Sequence, residues 1–269
     1  MDLRAEIADW PVGSASVAVV GPAGVLDMVD DGQAYQWASV TKVVTALTVL
    51  DATFEGVIGL DDEVGPPGST LRHLLSHASG LAVDGDRVLA RPGTRRVYSN
   101  SGIDLAAEHL AGRTGRPFAD ELSERVLDLL SMTGTELAGP PAHGARGPIT
   151  DLAALAGDLL RPTLLLPNAV SLAATVAFPG LDGVLPGFGR QVPNDWGLGC
   201  EIRDGKNPHW TAPENSPETF GHFGQSGSFL WVDPAANLAC VSLSDTAFGP
   251  WAADRWPRLA AAVLAAYRS

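Results

Sequence analysis

The stretch Ser39-Val40-Thr41-Lys42-Val43-Val44-Thr45-Ala46-Leu47-Thr48-Val49-Leu50 decides how the rest of the chain is read. Val40, Val43, Val44, Leu47 and Leu50 recur at spacings of three and four, which predicts a helix over 39–54 with one strongly buried face. On such a helix Ser39 and Lys42 fall one turn apart on the same side. A serine hydroxyl is a poor nucleophile until a neighbouring base takes its proton. A lysine amine can be that base when burial holds it neutral, well below its usual pKa of about 10.4. The apolar neighbours of Lys42 disfavour a solvated ammonium. Only two lysines occur in 269 residues, Lys42 and Lys206, which makes this spacing more informative. By itself a serine three residues before a lysine is still a weak signal, since a surface pair on an amphipathic helix has the same spacing.

Outward from this helix, 16–20 and 25–29 are short β-rich runs across Gly21-Pro22-Ala23-Gly24 and read as a hairpin. Residues 71–77, 101–111, 119–130 and 151–160 carry helical patterns separated by Gly/Pro stretches, with Thr150 or Asp151 the expected cap of the last. Beyond residue 180 the pattern returns to strands, at 197–202, 228–232 and 238–243, with Asp233-Pro234-Ala235-Ala236-Asn237 as a turn. A closing helix is expected over 256–267, with Pro257 in its first turn. The expected architecture is α/β (α+β): an antiparallel sheet flanked by helices, built from both chain ends (1–62 and 180–269). An all-helical domain (63–179) is inserted between them. A ligand site between the two is the default expectation.

Composition narrows the function classes. Hydrophobic residues make up 45% and charged residues 18%, enough apolar material for a full core and too much for disorder. A net charge of −13 repels phosphate backbones and anionic surfaces, so neither nucleic acid nor membrane is an expected partner. No apolar run approaches the ~18 residues that span a bilayer. Residues 1–10 carry Asp2, Arg4, Glu6 and Asp9 and no apolar core of a secretion signal, which predicts a cytoplasmic protein. Cys200 and Cys240 sit in apolar runs and read as buried free thiols, with no Cys-x-x-Cys metal pattern. His73 and His77 have a chelating spacing, but no Glu follows His73, and no metal site is expected.

Two further stretches could carry chemistry. Tyr98-Ser99-Asn100 follows a Pro92-Gly93-Thr94 turn and precedes the 101–111 helix; a phenol there could be held anionic by the helix terminus and a nearby ammonium. The bland reading is a packing aromatic with an Asn cap. His222-Phe223-Gly224, followed by Gln225-Ser226-Gly227, sits at the mouth of a strand, where small residues let a substrate lie along the backbone. The bland reading there is a Gly-rich bulge. The run Gly224–Ser228 misses the nucleophile-elbow pattern because residue 228 is not Gly. Trp196, Trp210 and Phe188 read as packing residues.

Together and in this order, Ser39-x-x-Lys42, Tyr98-x-Asn100 and His222-x-Gly224 resemble the serine beta-lactamase and penicillin-recognising superfamily. The likeness is to its class C beta-lactamase-related branch, which includes esterases and D-amino-acid peptidases. Leu74-Leu75-Ser76-His77-Ala78-Ser79-Gly80-Leu81 and Leu230-Trp231-Val232-Asp233-Pro234 carry the same resemblance, which runs from about residue 15 to the C-terminus. It implies Ser39 as an acylated nucleophile, with Lys42 and Tyr98 sharing the acid and base work. It further implies that Asn100 orients Lys42 and touches substrate, that His222 stands where many relatives have Lys, and that the N–H groups of Ser39 and Gln225 form an oxyanion hole. No cofactor is implied. Phe223 replaces the hydroxyl with which beta-lactamases bind a substrate carboxylate, and only 10 residues separate Leu81 from Pro92. The expected function is a serine hydrolase acting through an acyl-enzyme, most of all an esterase on small acyl substrates. The rivals are a beta-lactamase or D-alanyl-D-alanine carboxypeptidase with the same site, and a silent binding protein of the same fold.

Overall fold

The computed structural model describes residues 1–268. A short helix α1 (Leu3–Ile7) precedes the hairpin β1 (Ala15–Gly21) and β2 (Gly24–Val29). Strand β3 (Ala34–Gln36) leads through a 3-10 turn (Ala38–Val40) into helix α2 (Thr41–Phe54). Helices α3 (Leu71–Leu75), α4 (Asn100–Thr114) and α5 (Phe118–Leu122) follow, the last running into a π turn at Ser123–Leu127. Strands β4 (Glu136–Leu137) and β5 (Ala145–Pro148) precede helices α6 (Ile149–Leu160) and α7 (Pro167–Ala174). The chain then forms β6 (Gly183–Leu185), β7 (Gly189–Gln191), β8 (Glu201–Ile202), β9 (Phe220–Gly224), β10 (Ser228–Asp233) and β11 (Leu238–Ser244), and closes with α8 (Pro250–Tyr267).

This is a mixed α/β fold in which antiparallel sheets are flanked by helices. The main sheet has six strands in the order β2-β1-β11-β10-β9-β8, and every pair is antiparallel. Successive side chains of a strand point to opposite faces, and here both faces are covered. Ala18, Val20, Leu230, Val232 and Val241 join the core that includes α2 and α6. Val17, Val19, Phe229, Trp231 and Cys240 join a second core with Trp256, Leu259 and Val263 of α8. Double coverage explains why these strands read as apolar runs rather than strict alternation. Cys200 and Cys240 are buried free thiols.

Several local expectations need correction. Helix α2 is buried on nearly all sides, from Thr41 to Leu50, because it lies between the sheet and the helices of the middle segment. Helix α3 stops at Leu75, and His77 adopts a left-handed φ of 57°, so His73 and His77 do not share a helix face. His73 instead accepts the Thr70 N–H at 3.2 Å and stacks on Phe178. Helix α6 begins at Ile149 after Pro148 and has no side-chain cap. Asp151 accepts from Gly134 N–H and Thr135 Oγ1 instead. The middle segment is not purely helical, since β5 pairs with β3 on one side and β4 on the other in a three-stranded sheet. Of 197–202 only β8 is a strand; Gly199 lies so close to α2 that a Cβ would sit 2.2 Å from that of Ala46. Helix α8 starts at Pro250, with Pro257 inside it. Pro257 removes one N–H, but buried Trp256, Leu259, Ala260, Val263 and Leu264 hold the helix to the sheet.

The second lysine is buried as well. Lys206 Nζ donates to Glu201 Oε1 at 2.6 Å, to the Asp195 carbonyl at 2.7 Å and to the Ile202 carbonyl. His209 and Trp210 also hydrogen-bond the Glu201 carboxylate. Burial raises the carboxyl's pKa, yet His209 and Lys206 beside it bring it down to about 2. Removing one partner of a buried ion pair leaves an uncompensated charge, at a cost of about 3–5 kcal/mol. Lys206→Met is therefore expected to lower stability by about that amount in denaturant unfolding. A midpoint equal to wild type would show that the pair is dispensable.

Candidate active site

Ser39 is held by a turn whose backbone is pinned from both sides. Ala38 has a φ of 45°, an uncommon conformation for a non-Gly residue. The turn before it is tied to β5, with Trp37 N–H donating to the Ala145 carbonyl and the Trp37 indole to the Gly147 carbonyl. It is also tied to the β9–β10 connection, where Ser226 and Ser228 hydroxyls donate to the Gln36 and Trp37 carbonyls. A Cβ at Gly224 would lie 2.5 Å from the Trp37 carbonyl oxygen and 2.4 Å from Ser228 Oγ. Gly224 is thus required by the close approach of β9 to this turn. The sequence reading gave it a substrate-binding role; the structure gives it a packing reason.

Ser39, Lys42, Tyr98 and Asn100 meet. Lys42 Nζ lies 3.1 Å from Ser39 Oγ, 2.7 Å from Asn100 Oδ1 and 2.9 Å from the Ala142 carbonyl oxygen. Tyr98 O–H donates to Ser39 Oγ at 2.7 Å. Lys42 is fully buried, and burial lowers its pKa to about 7, against the pull of Asp104 and Asp84. The expectation that Tyr98 is held as a phenolate is corrected: burial pushes the phenol above its ordinary pKa, outweighing the lowering by the Ser39 bond. In the resting site the phenol is a donor, and Lys42 is the group able to accept a proton.

His222 sits on β9 and lines the same pocket. Its Nδ1 lies 2.7 Å from the Phe223 carbonyl oxygen, so Nδ1 carries the proton and Nε2 is a bare acceptor. That Nε2 is buried and has no partner among the described residues. Burial, with Lys42 adding to it, lowers the His222 pKa to about 3. Phe223 points into the second core against Phe229, Phe248 and Trp256, and also lines the pocket, as does Gln225. The pocket in front of Ser39 has a volume of about 40 Å³. A wider depression of about 790 Å³ between Pro66, Leu81 and Val88 is lined by Asp104 but not by Ser39. Among the described residues no cluster of three or more His, Cys, Asp or Glu could hold a metal ion.

Three contributors escaped sequence reading. Glu201 walls the pocket as a buried carboxylate. His77 accepts the Ser99 N–H on Nδ1 and packs its ring 4.6 Å from that of Tyr98. Buried Arg96 donates to the carbonyls of Ser76, Phe178 and Asn194, fixing the segment that delivers Tyr98. Nothing in the spacing of Glu201 or Arg96 marks them, and the spacing of His77 from His73 points to a metal rather than to this packing.

The family model described as Beta-lactamase matches residues 10–265. The chain belongs to the beta-lactamase family. This is a family of serine hydrolases sharing the beta-lactamase fold. A solved structure described as a beta-lactamase from Mycobacterium bovis is 52% identical, with a TM-score of 0.97 over 99% of this chain and 100% of that one. A mutant of simvastatin synthase (LovD) from Aspergillus terreus shares the fold at 17% identity, with a TM-score of 0.78 over 98% of this chain and 93% of that one. The D-alanyl-D-alanine-carboxypeptidase/endopeptidase AmpH of Escherichia coli (strain K12) is 25% identical over 141 residues, 39% of this chain. The match spans 37% of that relative's length. No helix among the described residues is long and apolar enough to cross a membrane.

A base with a pKa of about 7 gives a definite pH profile. Lys42 works only when neutral, so the rate of Ser39 modification by a fluorophosphonate is expected to rise with pH through a midpoint near 7 and then level. A midpoint at the ordinary lysine value of about 10.4 would show that burial does not hold Lys42 neutral at pH 7.

Proposed function

We propose that this family member is a serine hydrolase that turns over short neutral acyl esters through an acyl-enzyme on Ser39. The observation that carries the choice of substrate is the wall opposite Ser39, where a neutral His222 acceptor stands beside Phe223 and the Glu201 carboxylate. A beta-lactam or D-alanyl carboxylate needs charge-assisted donors there, each worth about 1.5–3 kcal/mol. A bare imidazole nitrogen, a phenyl ring and a second carboxylate offer none. A neutral ester needs no such anchor, and the small pocket suits a short acyl chain.

In this reading Ser39 Oγ attacks the ester carbonyl carbon while its proton passes to Lys42 Nζ. The N–H groups of Ser39 and Gln225 are the proposed donors to the developing oxyanion. The tetrahedral intermediate collapses, the C–O bond to the leaving alkoxide breaks, and the alkoxide takes a proton delivered from Lys42, with Tyr98 O–H the nearby donor. Water then attacks the acyl-enzyme carbonyl carbon and gives a proton to Lys42; the bond from that carbon to Ser39 Oγ breaks, Lys42 returns the proton to Ser39 Oγ, and the acid is released. Asn100 keeps Lys42 in place through both halves. No cofactor enters this scheme, and the proposed partner is a small acyl substrate.

The descriptions of the Mycobacterium bovis structure and of AmpH support a second reading, a beta-lactamase or carboxypeptidase with the same machinery. The two separate on kcat/KM for a short p-nitrophenyl ester against nitrocefin at about pH 7.5, above the Lys42 midpoint. The ester is expected to win by about tenfold or more, the worth of one lost charged hydrogen bond. Nitrocefin winning by that margin would overturn the esterase reading. Lys42→Ala and Tyr98→Phe are each expected to slow ester turnover by ~10²–10⁴-fold with the fold intact. Ser39→Ala should abolish fluorophosphonate labelling, and a wild-type protein that never labels would favour a silent binding protein.

A further inference from the structure

Asn100 has two partners, and only one belongs to the motif that points to it. Its Oδ1 accepts from Lys42 Nζ, and its Nδ2 donates to Asp84 Oδ1 at 3.0 Å. Asp84 lies in the exposed connection after Leu81, outside every stretch that the sequence marks as functional. An ionised carboxylate only accepts hydrogen bonds. The Asn100 amide therefore has one orientation available, with its NH₂ toward Asp84 and its oxygen toward Lys42.

This orientation has a consequence one atom further on. A neutral amine has two N–H bonds and one lone pair. One N–H of Lys42 is committed to Asn100 Oδ1 and the other to the Ala142 carbonyl oxygen, which can only accept. The remaining direction is Ser39 Oγ, 3.1 Å away, and the lone pair occupies it. If the amide turned over, its NH₂ would claim the lone pair, and Ser39 would face an N–H instead. We propose that Asp84 is a positioning residue, which by locking the Asn100 amide aims the Lys42 lone pair at Ser39. The proposal rests on the serine-hydrolase reading above and does not depend on which acyl substrate is used.

The charged and titratable groups facing Lys42 can be named. Tyr98 carries its proton and lays its ring 4.9 Å from Nζ. His77 and His222 are neutral, both lowered first by burial and then by Lys42 itself. Asp104 on α4 and Asp84 are the two anions whose charge favours the ammonium, and Asp104 is separately committed to the Ala142 N–H at 2.8 Å. Removing the charge of Asp84 disfavours the ammonium, so the pH midpoint of the reaction moves down.

The test compares wild type, Asp84→Asn, Asn100→Ala and the double variant by the rate of fluorophosphonate labelling at Ser39 across pH. Asp86→Asn, in the same loop, is the control for a general loss of loop charge. Asp84→Asn keeps the size of the side chain but lets the Asn100 amide bind either way round. Its plateau rate is expected to fall by about tenfold or more, with the midpoint lower than wild type. On the Asn100→Ala background the same change is expected to cost nothing further at the plateau, because Asp84 acts through that amide. Asp86→Asn is expected to keep the wild-type rate and midpoint. A plateau unchanged by Asp84→Asn, or an equal loss on both backgrounds, overturns the proposal and leaves the hydrolase reading standing. A wild-type protein that does not label overturns that reading, and this proposal with it.

Discussion

A single buried amine organises this molecule. Lys42 sits in the first turn of a helix that is enclosed on nearly every side, where an ammonium would be costly. Burial alone pushes it toward neutrality, and the two nearby carboxylates, Asp104 and Asp84, stop the shift at about 7. That value suits a group that must both take and return a proton at neutral pH. The same three contacts serve both protonation states. As an amine Lys42 donates to Asn100 and Ala142 and accepts from Ser39; as an ammonium it donates to all three. A proton can arrive without any rotation of the side chain, which fits a preorganised site.

The rest of the structure keeps Ser39 opposite that amine. The strained Ala38 turn is clamped by β5 on one side and by the Ser226 and Ser228 hydroxyls on the other. The sheet thus carries the His222 wall and the Ser39 turn on one rigid frame. His222 shows how a single residue resets that frame's chemistry. Its ring is a neutral acceptor, and Glu201 adds a carboxylate to the same wall. The proposed preference for neutral esters rests on that wall.

How much of this was legible in the sequence depends on the kind of signal. The α2 periodicity, the β1–β2 hairpin and the strands around Phe229 and Val241 were readable because burial on a regular element repeats with the element's period. Ser39, Lys42, Tyr98 and Asn100 were readable because their spacing within short motifs reflects local geometry. The state of Tyr98 was misread, since helix-terminus and ammonium arguments favour a phenolate while the enclosure that opposes it comes from distant residues such as His77 and Trp196. Pro257 was placed in a first turn by a local rule that tertiary packing overrode. Glu201, Asp84 and the supporting role of His77 were invisible for the same reason: each depends on a partner 8–22 positions away in the chain.

The protonation of Lys42 in the resting protein decides whether it can take the Ser39 proton. The chain has two lysines, so uniform ¹⁵N-lysine labelling yields two side-chain amine signals, and Lys42→Met removes one of them. Following that signal with pH reads the amine directly, with no substrate and no assumption about the reaction. The expected result is a titration centred near 7. A Lys42 signal that stays an ammonium up to the ordinary lysine value of about 10.4 would contradict it.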